Sequence, residues 1–162
     1  MKAAILEIRD TVRSVSRNVT GTIVAEMLEG IHCETALRME LPDERAVIES
    51  QLRKCAVDPE INLVLTGGGT GIDLQDVTPD ATRAVCDRLL PGIPDAMRHA
   101  SLKVTNRALL SRAQAGICQQ TLIINLPGSP KAARENLDVV LNMLPHAISV
   151  LTGQTPGATL NY

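Results

Sequence analysis

Ile61–Leu65 (I-N-L-V-L) is an almost continuous aliphatic run that leads directly into Thr66–Gly71 (T-G-G-G-T-G). A nearly unbroken apolar run is typical of a parallel strand that is covered on both faces. Thr121–Leu126 (T-L-I-I-N-L) has the same character. Segments with helical spacing lie between and around these two runs, and strands that alternate with helices predict an α/β fold with a mostly parallel sheet.

The segments on either side of these runs complete the predicted order of elements. The chain of 162 residues suits a single domain over 1–162, because no linker or internal repeat interrupts it. Hydrophobic spacing and Gly and Pro breakers give the further elements. They are strands at Ala3–Ile8 and Cys33–Met39, a loop at Thr11–Arg17, helices over Val19–Leu28, Pro42–Cys55, Pro79–Leu90 and Asp95–Leu102, and one final long helix with its apolar face at Leu137, Val140, Leu141 and Leu144.

The composition is nearly free of aromatic residues, since there is no Phe, no Trp and one Tyr, at position 162. We therefore expect an aliphatic core, and ligand binding by aromatic stacking is almost excluded. Sixteen Lys and Arg stand against eighteen Asp and Glu without a basic run, which predicts no nucleic-acid partner. No apolar run approaches the ~20 residues of a membrane span, and the first ten residues are unlike a signal peptide.

The cysteines and histidines are scattered along the chain, and no C-x-x-C pair occurs. This spacing argues against a zinc site. Without an export signal, the cysteines are expected to be reduced thiols in a cytoplasmic protein. The histidines are interpreted as structural or exposed residues. The cysteines are Cys33, Cys55, Cys86 and Cys118, and the histidines are His32, His99 and His146.

The glycine-rich loop at Gly67–Gly71 carries the strongest local signal for function. It leaves the carboxyl end of an apolar strand, which is where open α/β sheets bind ligands. Glycines also allow backbone N–H groups to approach a phosphate closely. The pattern is neither G-x-x-x-x-G-K-[ST] nor G-x-G-x-x-G, so it is not an ordinary P-loop or dinucleotide fingerprint. The alternative interpretation is a flexible turn.

Acidic residues near two predicted helix starts each have two interpretations. Asp76 follows the glycine loop in D-V-T-P-D, and a carboxylate beside a phosphate site attracts the ligand only when Mg²⁺ lies between them. Alternatively, Asp76 or Thr78 caps the helix that starts at Pro79; Thr78 is the expected cap, which leaves Asp76 for another task. Asp43, taken by itself, is interpreted as a helix cap rather than a catalytic acid.

A second strand-to-helix turn lies at Asn125–Pro130 (N-L-P-G-S-P). A helix N-terminus is itself suited to anions, although Ser129 as an N-cap is the simpler interpretation. Ser111 and Arg112 place a hydroxyl beside a guanidinium, a pair suited to phosphate but a weak signal alone. Two phosphate-suited loops at one sheet edge predict a large phosphorylated ligand, or two ligands side by side.

In order, the motifs T-G-G-G-T-G, D-V-T-P-D-A-T, L-S-R-A and L-I-I-N-L-P-G-S-P-K-A make the chain resemble the MoaB/Mog family of molybdenum cofactor biosynthesis, from about Leu41 to Ile148. The resemblance implies a three-layer α/β/α sandwich, a homotrimer or hexamer, and contact with other cofactor-biosynthesis proteins. It also implies molybdopterin adenylyltransferase activity. In that reaction the phosphate of molybdopterin attacks the α-phosphate of Mg·ATP, which gives adenylyl-molybdopterin and pyrophosphate.

The same resemblance implies roles for individual residues. Asp43 and Asp76 match the acids that hold Mg²⁺ on the nucleotide and serve the catalytic step. Ser111 is expected near the pterin. The two loops supply the other ligand-binding residues, which are Gly68, Gly69, Thr70 and Gly71 in the first loop and Asn125, Pro127 and Gly128 in the second.

The N-terminal region departs from the family pattern. Asn18–Gly21 (N-V-T-G) stands where the family has D-x-S-G, and the glycine that usually precedes this segment is missing. Gly67 replaces a common Thr, and Gln75 replaces a common basic residue. These departures keep two alternatives open, namely a non-catalytic molybdopterin-binding carrier and a scaffold subunit that pairs with a cofactor-handling partner.

Overall fold

Two layers of helices cover a six-stranded sheet in the computed structural model, which describes residues 1–9 and 19–154. The predicted loop Thr11–Arg17 and the one tyrosine, Tyr162, lie outside the described residues. The strands follow the order β2-β1-β3-β6-β5-β4 across the sheet. They are β1 (Lys2–Arg9), β2 (Glu34–Pro42), β3 (Leu63–Gly67), β4 (Arg88–Leu89), β5 (Ala115–Cys118) and β6 (Thr121–Leu126).

Helices connect the strands in the way that the alternating pattern predicts. In the described part of the chain none of them combines the length and hydrophobicity that crossing a bilayer requires. They are α1 (Val19–Glu29), α2 (Arg45–Val57), α3 (Thr78–Val85), α4 (Gly92–Leu102), α5 (Pro130–Val140) and α6 (Leu144–Leu151), with short 3-10 turns at Asn106–Leu110 and Leu141–Met143.

The sheet is mostly parallel, as predicted. Strand β1 pairs in parallel with β2 and β3, and β3 pairs in parallel with β6, while β5 and β4 add an antiparallel edge. The side chains of successive residues in a strand point to opposite faces of the sheet, so each central strand contributes side chains to two cores. Leu65 and Ile124 pack in the core that includes α1, α4, α5 and α6, whereas Val64 and Ile123 pack in the core with α2 and α3. The predicted three-layer sandwich and aliphatic core are confirmed.

The structure corrects the predicted helix Pro79–Leu90, which ends at Val85. The chain then pairs with β5 instead of continuing the helix. The amide of Asp87 donates to the Ile117 carbonyl at 2.8 Å, and the amide of Leu90 donates to the Ala115 carbonyl at 2.8 Å. Strand β5 itself has four residues and was not predicted. The short strands β4 and β5 form because segments distant in the chain pair with each other. A local periodicity in the sequence cannot show such pairing.

The final long helix is divided in two. A 3-10 turn at Leu141–Met143 separates α5 from α6, and Pro145 lies in the first turn of α6. Proline has no N–H to donate and crowds the preceding turn, so a regular α-helix does not continue through it. The predicted apolar face survives the break, because Leu137, Val140 and Leu144 are all buried in the same core.

The four cysteines are free thiols, as predicted, and burial raises the pKa of each of them. Desolvation of the thiolate is the main cause, and it raises the pKa of Cys86 to about 12. A thiol of the unfolded chain ionises near pH 9. The raised pKa of Cys86 therefore stabilises the fold fully below pH 9, and this contribution is lost as pH rises towards 12.

We expect the native thiols to react slowly with Ellman's reagent at about pH 8, because the thiolate is the reactive form and burial disfavours it. Four thiols should react at once after unfolding in urea. Time courses of absorbance for the wild type and Cys86→Ser provide the measurement. A thiol that reacts as fast in the native protein as in urea, and is lost in Cys86→Ser, would contradict the expectation for Cys86.

Candidate functional site

The carboxyl ends of the four parallel strands meet at one edge of the sheet, and the glycine loop leaves β3 there. Gly68 and Gly69 have φ values of +110° and +63°. These are left-handed conformations that residues with a side chain rarely adopt. A Cβ on Gly68 would also lie 2.5 Å from the carbonyl oxygen of Ile8. The loop lies so close to the end of β1 that this position requires glycine.

The two predicted phosphate loops lie against each other, as expected. The amide of Gly68 donates to the Leu126 carbonyl at 3.0 Å. A Cβ built on Gly128 would lie 3.2 Å from the Cα of Gly68. Thr20, near the start of α1, adds a third segment, because its hydroxyl donates to the Gly128 carbonyl at 2.9 Å. Two strand ends and one helix start therefore form a common surface.

Two carboxylates contact this glycine loop. A Cβ on Gly69 would lie 2.9 Å from Oδ1 of Asp43, and a Cβ on Gly71 would lie 2.7 Å from Oδ2 of Asp76. The two glycines are separated by one residue, so the aspartates flank the same short stretch of backbone. The Asp76 carboxylate is oriented by the amide of Asp73, which donates to Oδ2 at 2.9 Å.

The helix-cap interpretations of these residues are wrong. The N-cap of α2 is Glu44, one residue after Asp43, and the N-cap of α3 is Val77 rather than Thr78. Thr78 is instead the first residue of its helix, with a fully buried hydroxyl that faces the Cα of Gly69. Its amide donates to the Gly69 carbonyl at 3.2 Å, which anchors the glycine loop to α3.

The chemistry of these donors fits Mg²⁺ bound together with a nucleotide. Mg²⁺ prefers oxygen ligands and is commonly held by one or two carboxylates plus the phosphates of a substrate. Asp43 and Asp76 supply two carboxylates beside a backbone that a phosphate can approach. Residues 1–9 and 19–154 contain no cluster of three or more acidic, His or Cys side chains that could hold a metal by themselves. Two carboxylates beside a phosphate-suited backbone suit an ion that arrives with its ligand.

A pocket of about 280 Å³ opens beside the glycine loop. Four of the predicted site residues line it, namely Thr70, Gly71, Ser111 and Pro127. Helix α4 forms the facing wall, where Arg98 donates to the carbonyls of Ser111 and Ala113 at 3.3 and 3.1 Å. These bonds hold the Ser111 segment against α4, beside the pocket that Ser111 lines.

Asn125 is brought to the same edge but lies inside the protein, where its residue is fully buried. Its Nδ2 donates to the hydroxyls of Thr66 and Thr82 at 3.0 and 2.8 Å, and its Oδ1 accepts from the amide of Gln114 at 3.0 Å. These bonds connect β6 with β3, α3 and the segment before β5. Asn125 therefore holds together the segments that carry the loops, and it does not line the pocket.

Sequence reasoning missed a buried charge at the end of β1. Glu7 is 3% exposed, and its Oε1 accepts from Nε of Arg38 at 3.1 Å. Arg9 also pairs with Glu7, at 3.4 Å. An acidic residue within an aliphatic strand was the available signal, because a buried carboxylate needs a partner. The first turn of α1 packs against this pair at Gly21.

A family model described as a probable molybdopterin binding domain matches residues 5–146. The chain belongs to this family. It is 47% identical over 111 residues to a molybdopterin adenylyltransferase of Helicobacter pylori strain J99, a match that covers 68% of the chain and 63% of that relative. It is 46% identical over 112 residues to the Escherichia coli K12 enzyme of the same name, covering 67% of the chain and 57% of that relative. The chain thus spans about three fifths of the length of these curated relatives.

Solved structures support the same family membership. The molybdopterin biosynthesis enzyme MoaB of Thermus thermophilus superposes with a TM-score of 0.87 at 44% identity, covering 94% of this chain and 96% of that one. The Mog protein of Mycobacterium ulcerans gives a TM-score of 0.83 at 36% identity, covering 93% and 99%. The resemblance to the MoaB/Mog family that the motifs indicated is therefore confirmed.

Replacing Gly68 by alanine should lower the free energy of unfolding by about 2 kcal/mol or more, because a φ of +110° is strained for alanine and its Cβ meets a carbonyl oxygen. Urea unfolding curves measure the change. Gly92→Ala is the matched control, since open space surrounds the Cβ position there, and it should stay within about 0.5 kcal/mol of the wild type. Equal effects of the two substitutions would contradict the argument.

Replacing Asn125 by leucine should cost about 3 kcal/mol, because two buried threonine hydroxyls and the Gln114 amide lose their partner. The same urea measurement applies. Asn106→Leu, at an exposed position, is the control and should be nearly neutral. A neutral Asn125→Leu would show that these three hydrogen bonds contribute little to the fold.

Proposed function

We propose that the protein is a molybdopterin adenylyltransferase, which transfers the adenylyl group of Mg·ATP to the phosphate of molybdopterin and releases pyrophosphate. One observation carries the proposal: the same glycine loop contacts Asp43 and Asp76 and also lines the pocket with Thr70 and Gly71. A nucleotide and a second phosphorylated ligand would therefore meet on one stretch of backbone. The names of the relatives support this choice of ligands.

The proposed reaction depends on alignment rather than on a strong base. An oxygen of the molybdopterin phosphate forms a bond to the α-phosphorus of ATP, and the bond from that phosphorus to the bridging oxygen breaks, so the electron pair leaves with pyrophosphate. The nucleophile is already an anion and needs no deprotonation. Holding two anions in line converts a bimolecular step into an effectively unimolecular one.

The residues of this chain divide that task. The backbone N–H groups of Gly69–Gly71 would bind phosphate oxygens, and they are fixed in advance by the packing of the loop on Ile8 and Thr78. Asp43 and Asp76 would hold Mg²⁺, which when bound neutralises phosphate charge and orients the leaving group. The Ser111 side chain, at the pocket wall, would hydrogen-bond the molybdopterin.

The two flat rings of the substrates must be recognised without Phe or Trp. The pocket offers aliphatic surfaces from Met97, Val104, Leu110 and Pro127. Backbone carbonyl and amide groups of the two loops supply hydrogen bonds around them. We propose that shape and these backbone groups, rather than ring stacking, orient the pterin.

A homotrimer or hexamer in the cytoplasm, with contacts to other cofactor-biosynthesis proteins, is part of the same proposal. The family resemblance supports it. Exposed apolar side chains at Leu74 and Leu109, which are 98% and 68% exposed, are consistent with surfaces that pack in an assembly. Light scattering of the purified protein tests this assembly, and a monomer would contradict it.

The direct test is to incubate the protein with ATP, Mg²⁺ and molybdopterin and to measure pyrophosphate. Asp76→Asn should lower kcat by about 100-fold or more. The Mg²⁺ that this carboxylate would hold neutralises phosphate charge, and that neutralisation matters most in the transition state. Molybdopterin affinity by calorimetry should change little. Asp138→Asn, an exposed position on α5, is the matched control. Equal losses of kcat and affinity in Asp76→Asn would contradict the metal role.

Binding and turnover separate the alternatives. A carrier binds molybdopterin by calorimetry without any dependence on ATP and releases no pyrophosphate. A scaffold subunit binds neither ligand, and Asp76→Ala then leaves its function in cells intact. Either result would overturn the enzymatic proposal.

A further inference from the structure

Arg112 joins three separate segments at the edge of the site. Its backbone amide donates to the Thr70 carbonyl at 2.9 Å. Its Nε donates to the Gly71 carbonyl at 2.8 Å, and its Nη2 donates to the carbonyl of Asp76. The same Nη2 pairs with Oδ2 of Asp80 on α3 at 3.0 Å. One side chain thus contacts the glycine loop, the Asp76 loop and the helix behind them.

These contacts close the loop that carries Asp76. The carbonyls of Gly71 and Asp76, five residues apart, both accept from the same guanidinium. A guanidinium is a planar fork with fixed donor directions, so it sets the distance between two acceptors more rigidly than a lysine amine can. The position of the Asp76 backbone, and with it the carboxylate beside Gly71, therefore depends on Arg112.

The charge of Arg112 serves the same purpose. Asp76 and Asp80 lie on this short stretch of chain, and like charges close together repel each other. The guanidinium lies against the backbone of the first and the carboxylate of the second. Both Arg112 and Asp80 are about 40% exposed, so solvent screens the ion pair and the carbonyl hydrogen bonds matter more.

The neighbour of Arg112 links this arrangement to the pocket. Ser111 lines the pocket, and its carbonyl is held to α4 by Arg98 at 3.3 Å. The peptide bond between Ser111 and Arg112 therefore connects the pocket wall to the glycine loop. Any shift of Arg112 changes the distance between the two surfaces that bind the two ligands.

We propose that Arg112 is a positioning residue, which fixes the Asp76 loop and the Ser111 wall of the pocket at the spacing that in-line transfer between two bound phosphates requires. The proposal rests on the proposed adenylyl transfer for its kinetic consequence. Its structural part, that Arg112 orders residues 71–78, stands independently. Arg112 touches neither reacting phosphate in this role and acts through Gly71, Asp76 and Ser111.

Arg112→Lys tests the proposal, because lysine keeps the positive charge and loses the fork. We expect kcat to fall by about 10–100-fold, since an error of about 1 Å in alignment costs up to that much. The KM values for ATP and molybdopterin should change less than about threefold. Arg53→Lys is the matched control, because Arg53 also donates to a backbone carbonyl, that of Ala84, at 3.1 Å. It should leave kcat unchanged.

Four further readouts separate positioning from general stability. Hydrogen exchange should accelerate at the amides of residues 71–78 in Arg112→Lys, while the urea midpoint stays near that of the wild type. Asp80→Asn, which removes the ion pair and keeps the carbonyl bonds, should lower kcat by less than about threefold. Guanidinium at tens of millimolar should restore part of the activity of Arg112→Ala and should leave the activity of Arg53→Ala, which is not impaired, unchanged.

The outcomes distinguish the positioning role from the proposed function. An unchanged kcat in Arg112→Lys, or a rise in KM alone, would overturn the positioning role. If the wild type releases no pyrophosphate, the adenylyltransferase proposal fails, and the exchange measurement then decides the structural part. Exchange at residues 71–78 that matches the wild type in Arg112→Lys would overturn that part as well.

Discussion

The close approach of Gly68 to the carbonyl oxygen of Ile8 is the constraint on which the site depends. With 2.5 Å between that oxygen and a Cβ position, no residue larger than glycine fits without moving the ends of β1 and β3 apart. Because the loop lies so close to the end of β1, Gly69 contacts Asp43 and Thr78, and the second loop packs against Gly68. Two parallel strand ends at adjacent positions in the sheet make this contact possible.

Buried polar groups keep those strand ends in register. Asn125 connects β6 to Thr66 of β3 and Thr82 of α3, and the Glu7–Arg38 pair connects β1 to β2. A buried polar group without its partner is costly, so each bond excludes alternative arrangements more than it adds stability. The loops above can therefore consist of glycine and remain ordered, because the order is supplied by the strands beneath them.

Much of the fold could be predicted from the sequence, because the aliphatic runs at Ile61–Leu65 and Thr121–Leu126 are strong and local. The mostly parallel sheet and the layers of helices follow from them and are confirmed. The helix predicted over Pro79–Leu90 ends early for a physical reason. The last part of this segment has helical composition, but its backbone groups form hydrogen bonds with β5 instead. Helix caps at Asp43 and Thr78 were also predicted wrongly, because the local pattern does not show which residue begins the turn.

The sequence by itself determined the two glycine-containing loops, their place after buried strands and the family to which the chain belongs, since these depend on residue type and order along the chain. Only the tertiary structure decided what each site residue contacts. It placed Asp43 and Asp76 against the same glycine loop and buried Asn125 beneath that loop. It also connected Arg112 to three segments at once. Many of these contacts join residues far apart in the chain, and their distances are set by packing, which no single stretch of sequence contains.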